Sequence, residues 1–132
     1  MEKQFFNPSS IHRPRGYSHA IAVEGGRLIF VAGQVALDKD GNLVGKGDLR
    51  AQTDKALDNL IAALTAAGAT PADVVKVNTY VVNYKPADYP IIREARARIF
   101  DAQSPPASTL LGVQALAVEE LLIEIEAIAV VK

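Results

Sequence analysis

Leu121-Leu122-Ile123-Glu124-Ile125-Glu126-Ala127-Ile128-Ala129-Val130-Val131 is the stretch whose alternation decides the fold. Successive side chains of a strand point to opposite faces. Leu121, Ile123, Ile125, Ala127 and Ala129 therefore make one continuous apolar face, while Glu124, Glu126, Ile128 and Val130 share the other. The second face is mixed: it carries two carboxylates roughly 7 Å apart and then apolar area that needs cover. A sheet that buries one face against its own helices and still offers apolar surface on the other predicts association of identical chains, with any site between subunits.

Working outward, Ser108 to Val113 reads as another strand, set off by Ser104-Pro105-Pro106, where proline forbids both a continuing helix and internal strand pairing. Upstream, Asp88 is placed to cap a helix that tolerates Pro90 in its first turn, carries Ile91, Ile92, Ala95, Ile99 and Phe100 toward the core, and ends near Ala102. Val74, Val75, Val77, Tyr80, Val81 and Val82 concentrate β-branched and aromatic residues, a third strand. Leu49, Ala56, Leu57, Leu60, Ile61 and Leu64 recur at helical spacing and predict a helix over 49–67, capped by Asp48 and closed by Gly68. Asp38-Lys39-Asp40-Gly41-Asn42 and Gly45-Lys46-Gly47 are loops. Ala20–Val23 and Leu28–Val31, separated by Glu24-Gly25-Gly26-Arg27, read as a hairpin, and the unbroken run Leu28-Ile29-Phe30-Val31 predicts a central strand covered on both faces. The order strand, strand, helix, strand, helix, strand, strand predicts an α+β fold, one mixed sheet backed by two helices.

The 132 residues suit one domain spanning 1–132, and 49% apolar with 22% charged residues is the balance of a folded globular chain. Fourteen Lys and Arg against fifteen Asp and Glu give a net charge of −1, so no broad positive field exists to hold a phosphate backbone, and nucleic acid is not the expected partner. Without cysteine there is no disulfide, thiolate nucleophile or Cys-based metal site. No signal-peptide core or membrane-length apolar run is present, so a cytoplasmic protein without membrane contact is expected.

His12 and His19 are the only histidines, and no carboxylate is spaced with them as zinc motifs require; they read as loop residues, with no metal expected. Gly41 to Gly47 superficially resembles a phosphate loop but is one residue short and has no Ser or Thr after Lys46. Ser108 and Thr109 have no histidine base in reach of the expected fold. Glu124 is the stronger candidate, because burial in an apolar strand raises a carboxylate's pKa and makes it a usable base, whereas Glu126 reads as facing solvent or pairing with an Arg or Lys of a neighbouring subunit. Arg93, Arg96 and Arg98 read as a solvated helix face balanced by Glu94 and Asp101, whereas Arg13 and Arg15 in the N-terminal loop are free to reach an anion in a cleft.

Gly16-Tyr17-Ser18, Phe30 to Val35, Gln52 to Gly68, Pro106-Ala107-Ser108-Thr109 and Ile123 to Ala129 together resemble, in this order, the RidA family, also called YjgF/YER057c/UK114. The resemblance implies a chorismate-mutase-like α+β fold, a homotrimer with clefts between subunits, and hydrolysis of reactive enamines and imines to carbonyl compounds and ammonia without metal or organic cofactor. Carried over by position, it makes Glu124 the group that orients the attacking water, and Tyr17 and Gly33 parts of the substrate cleft, with Ser108, Thr109 and Leu110 along its wall. The arginine that in deaminating members follows the Pro-Ala pair and forks the substrate carboxylate is here Ser108, and Ala32 stands where those members often have serine. Arg13, Arg15 or Arg93 approaching the cleft would restore the missing charge; alternatively, the hydroxyls of Ser108 and Thr109 suit a neutral carbonyl or amide. The expected activity is thus imine or enamine deamination with an altered substrate range, the alternative being metabolite binding without turnover; the family's association with RNA cleavage fits the charge and sparse aromatics least.

Overall fold

A computed structural model describes all residues, 1–132. Its strands are β1 (Glu2–Phe6), β2 (Ala20–Glu24), β3 (Arg27–Gln34), β4 (Val74–Val82), β5 (Ala107–Val113) and β6 (Ile123–Val131), and its helices are α1 (Leu49–Ala66) and α2 (Tyr89–Ala97). Four strands form one mixed sheet in the order β3-β6-β4-β5, with β6 antiparallel to both neighbours and β4 parallel to β5. The parallel pair is joined by α2, the crossover that a parallel connection needs.

α1 forms as its spacing predicts. Asp48 accepts from Ala51 N at 3.0 Å, and Gly68 takes φ +82° just past the end. Ala56, Leu57, Leu60 and Leu64 are buried in one cluster with Ile92, Ala95 and Phe100 beyond them on the α2 side, and with Val77, Val81, Ile123, Ile125, Ala127 and Ala129 of the sheet. The inner face of β6 is thus the face read from its alternation. Gln52 is also fully buried: its amide nitrogen donates to Gly45 O (3.1 Å) and Glu120 O (3.0 Å), and its oxygen accepts from Leu122 N (2.8 Å). One side chain therefore ties α1 to the loop that follows β3 and the loop that precedes β6.

Four expectations change. First, β1 is an added strand. It pairs antiparallel with β2, so these two form a separate ribbon while β3 joins β6, and the expected β2–β3 hairpin supplies a turn but no ladder between its arms. Gly26 fits that turn for two reasons: φ is +90°, and a Cβ there would sit 2.7 Å from both Val130 Cγ1 and Val131 O. Second, β3 is an edge strand and not a central one. Ile29 and Val31 face the core, but Leu28 is 59% and Phe30 73% exposed. The unbroken apolar run reflects a face that this chain does not cover by itself. Third, α2 ends at Ala97, five residues before Ala102, and Asp88, although it is the N-cap residue, makes no side-chain cap; its carboxylate instead accepts from Lys85 N across a preceding 3-10 turn over Pro86–Asp88. Fourth, Arg96 is not on a solvated face, as described below. No helix is long and apolar enough to cross a membrane.

Candidate functional site

The sheet separates the predicted site residues into two groups, one on each face. On the outer face, opposite α1, Glu124 of β6 stands beside Tyr80 of β4 in register. Gly33, at the irregular end of β3, lets it do so: a Cβ at Gly33 would lie 1.9 Å from Glu124 Oε2 and 2.6 Å from its carboxyl carbon. The pairing of Gly33 with Glu124 is therefore a steric necessity of this structure. Two residues along, Glu126 accepts from the Tyr80 hydroxyl at 2.5 Å and from Asn78 Nδ2 at 3.2 Å. The Glu126 carboxylate holds the Tyr80 proton in place and, with desolvation and then the charges of Glu126 and Glu124, pushes that phenol above its usual pKa. Glu126 is occupied by its own strand neighbours; Glu124 has no hydrogen-bond partner in the chain. Thr109 also lies on this face, accepting from Lys76 Nζ at 2.8 Å.

On the inner side, beyond the edge of the core, a cavity of about 590 Å³ opens between the N-terminal loop, α2 and the start of β5. Arg13, Arg15 and Arg93 all line it, with Leu110 in its wall and Gly16 at its rim. Ser18 fastens the loop in place: its hydroxyl donates to Pro105 O at 2.6 Å and its amide to Pro106 O at 3.1 Å, beside a short bridge to Ala107. Tyr17 sits in a small aromatic group instead of in the cavity wall, sharing a 2.8 Å hydrogen bond with His12 Nε2 and meeting His19 edge to face at 5.6 Å. The two loop histidines thus position the tyrosine.

The residue missed from sequence is Arg96. It too lines the cavity, and its Nη1 donates to Ser108 Oγ at 2.9 Å. Its Nε and Nη2 are buried without a partner. Desolvation is the main force on the guanidinium and pushes its pKa below the usual arginine value; Phe100 lies beneath it, ring centroid 5.6 Å away. Nε and Nη2 are the adjacent N–H groups that grip a carboxylate side-on. The guanidinium thus rests against the very side chain that occupies the family arginine's place. Helical spacing carried the signal: Arg96 follows Ile92 by four residues and so falls on the buried stripe with Ala95.

Ser108 and Thr109 do not act as a hydroxyl pair, because strand alternation sends them to opposite faces. Ser108 faces Arg96 and Thr109 faces Lys76.

The sequence matches, over residues 9–131, the profile of the family described as Endoribonuclease L-PSP. It is 38% identical over 130 residues to a RutC family protein of Pyrococcus abyssi, covering 98% of each chain. It is 34% identical over 117 residues to a 2-iminobutanoate/2-iminopropanoate deaminase of Dermatophagoides farinae, covering 88% of this chain and 86% of that one. Among solved structures it is similar to YyfB of Yersinia pestis, a protein of unknown function in the conserved Rid family, with 47% identity, a TM-score of 0.93, and coverage of 99% of this chain and 100% of that one. The fold, the order of motifs and these similarities agree: the chain belongs to the RidA (YjgF/YER057c/UK114) family.

Proposed function

We propose that this protein is an imine or enamine hydrolase that works as a homotrimer on a small, carboxylate-bearing substrate, in clefts that two copies complete. The observation that carries this reading is the unpartnered Nε–Nη2 fork of Arg96, held on Ser108. Two buried N–H groups of a charged side chain left without partners are costly, and a turn of the guanidinium that presents them side-on to a carboxylate in the cavity satisfies both in one step. Arg96 thereby supplies from α2 the charge that deaminating relatives carry on β5.

Glu124 and Arg96 belong to opposite faces of one sheet, so they meet on one substrate only when the outer face of a second copy closes over the cavity. Leu28, Phe30 and Leu111, respectively 59%, 73% and 49% exposed on that outer face, supply the apolar area that drives such closure. In the closed cleft, the Glu124 carboxylate accepts a proton from a water molecule whose oxygen adds to the imine carbon and returns it to the nitrogen, giving a neutral carbinolamine. Glu124 then takes the hydroxyl proton and delivers it to the amino nitrogen, so that the carbon–nitrogen bond breaks and ammonia leaves as the carbonyl forms. An enamine enters the same sequence after protonation at carbon. Leu110 shapes the cleft around the carboxylate end, and Tyr17, fixed by His12, stands outside the cavity of its own chain. RNA cleavage draws little support from a chain of net charge −1 whose free arginines converge on a small cavity instead of a long surface.

The test is a coupled assay in which a dehydratase releases 2-iminobutanoate and its decay is followed with and without the protein. The unmodified protein is expected to accelerate decay, and Glu124→Gln to reduce kcat by about a hundredfold or more. Equal rates with Glu124→Gln would remove the glutamate from its role, and no acceleration of any imine would overturn the hydrolase reading.

A further inference from the structure

The cavity holds more positive charge than one carboxylate needs. Arg13, Arg15, Arg93 and Arg96 all line it, and Asp101 is the one acidic residue among its fourteen lining residues. That carboxylate is engaged locally, accepting from Gln103 N at 2.9 Å and Ser104 Oγ at 3.1 Å. None of the four arginines is in an ion pair. The other arginines near α2 behave differently: Arg98 pairs with Asp54, and Arg50 pairs with both Glu94 and Asp54. In a chain of net charge −1, unpaired arginines are therefore gathered at one place while acidic residues neutralise those on the other side of α2.

Their arrangement is also graded. Arg96 is half-buried and anchored on Ser108, whereas Arg13, Arg15 and Arg93 are exposed at the rim, the first two on the N-terminal loop that Ser18 fastens to Pro105 and the third on α2. A single small carboxylate uses the one fork of Arg96; it leaves the three exposed arginines of the same cavity without an anion. At about 590 Å³ the cavity also exceeds what a four-carbon imino acid fills.

We infer that the substrate carries two anionic groups: a carboxylate next to the imine, taken by Arg96, and a second carboxylate or phosphate at its far end, taken by Arg13, Arg15 and Arg93. This rests on the hydrolase reading for its chemistry, but the ligand class is testable without turnover. The outer arginines act as a field and a clamp: they steer a dianion to the cavity and fix its far end, so the imine carbon is presented to the water.

The experiment measures binding of unreactive 2-oxo acids by calorimetry at fixed ionic strength: 2-oxobutanoate with one anionic group, 2-oxoglutarate with two carboxylates, and 3-phosphohydroxypyruvate with a phosphate at the far end. The expected result is that at least one dianion binds about tenfold to hundredfold more tightly than 2-oxobutanoate, with the tighter of the two naming the second group. In the triple variant Arg13→Gln, Arg15→Gln, Arg93→Gln, whose substitutions lie at the rim and outside the core, that preference should shrink toward one. Equal affinity for all three acids, or a preference untouched by the triple variant, overturns the inference. The two readings separate in the imine assay. Imine decay without dianion preference leaves the hydrolase and removes this substrate class; dianion preference without decay of 2-iminosuccinate or 2-iminobutanoate keeps the ligand class and removes the hydrolase.

Discussion

Replacing Arg96 by methionine is expected to lower kcat/KM for imine hydrolysis about ten- to hundredfold while raising the stability of the folded protein by about 1–3 kcal/mol. The opposite signs come from one structural fact. The guanidinium makes a single hydrogen bond, to Ser108, while its Nε and Nη2 are buried with none. Without ligand, that is an uncompensated charge taken out of water, and methionine of similar length fills the space beside Phe100 without it. With ligand, the same two N–H groups become a charge-assisted fork that methionine cannot replace. Losing the hydrogen bond to Ser108 offsets part of the gain, since a hydroxyl left without its partner costs about 1 kcal/mol. The measurements are the imine-decay rate and the denaturant midpoint of the same preparation. A variant that is both less active and less stable would assign Arg96 a structural role and remove it as the substrate's anchor.

Gly33→Ala is the second substitution with a large expected effect, and its signature is a split. The added Cβ would lie 1.9 Å from Glu124 Oε2, so the carboxylate must leave its present position. The displaced atoms are those of the flexible Glu124 side chain from Cγ outward, and φ at Gly33 is not in the positive region where alanine is strained. The fold therefore accommodates the methyl group at small cost, while the carboxylate proposed to orient the water is lost from its place. Activity is expected to fall about as far as in Glu124→Gln, with a melting temperature within a few degrees of the unmodified protein. The split between rate and stability is the readout that a packing role would not produce. If Gly33→Ala retains full activity, Glu124 does not work from the position seen here.

What the sequence disclosed follows from how local each signal is. α1 was legible because its stripe, its Asp48 cap and its Gly68 terminus agree within twenty residues or so, and β6 because its alternation is uninterrupted. β1 was not, since Glu2-Lys3-Gln4-Phe5-Phe6 has no strand period and forms only because β2 offers it an edge. The placement of β3 failed for an instructive reason. Its apolar run is real, but one side of it, through Leu28 and Phe30, faces away from this chain's core. A pattern that reads as burial in a monomer is equally the pattern of a surface awaiting a second copy.

For the site, resemblance by position singled out Glu124 and Gly33, and the structure shows that the two are in close contact, with the steric reason that they go together. The same positional reading registered a missing arginine at Ser108 and looked for its replacement among Arg13, Arg15 and Arg93. Those three do surround the cavity, yet the side chain that touches Ser108 is Arg96, twelve residues earlier in the chain and on another element. A charge count on α2 pairs Arg96 with Glu94 and Asp101 by default. Only its place on the stripe of Ile92 and Ala95 marks it as inward-facing. Charge can move between elements while its position in space is kept, and composition does not register that exchange.

The most direct test of the central claim, that Arg96 does from α2 what the family arginine does from β5, is to move the charge back. The imine-decay rate is measured for the double variant Arg96→Met, Ser108→Arg beside each single variant and the unmodified protein. The account predicts that Arg96→Met is slow, that Ser108→Arg alone brings no gain because two guanidinium groups then crowd one spot, and that the double variant recovers to within about tenfold of the unmodified rate. A double variant as slow as Arg96→Met, or an Arg96→Met protein as fast as the unmodified one, would contradict it.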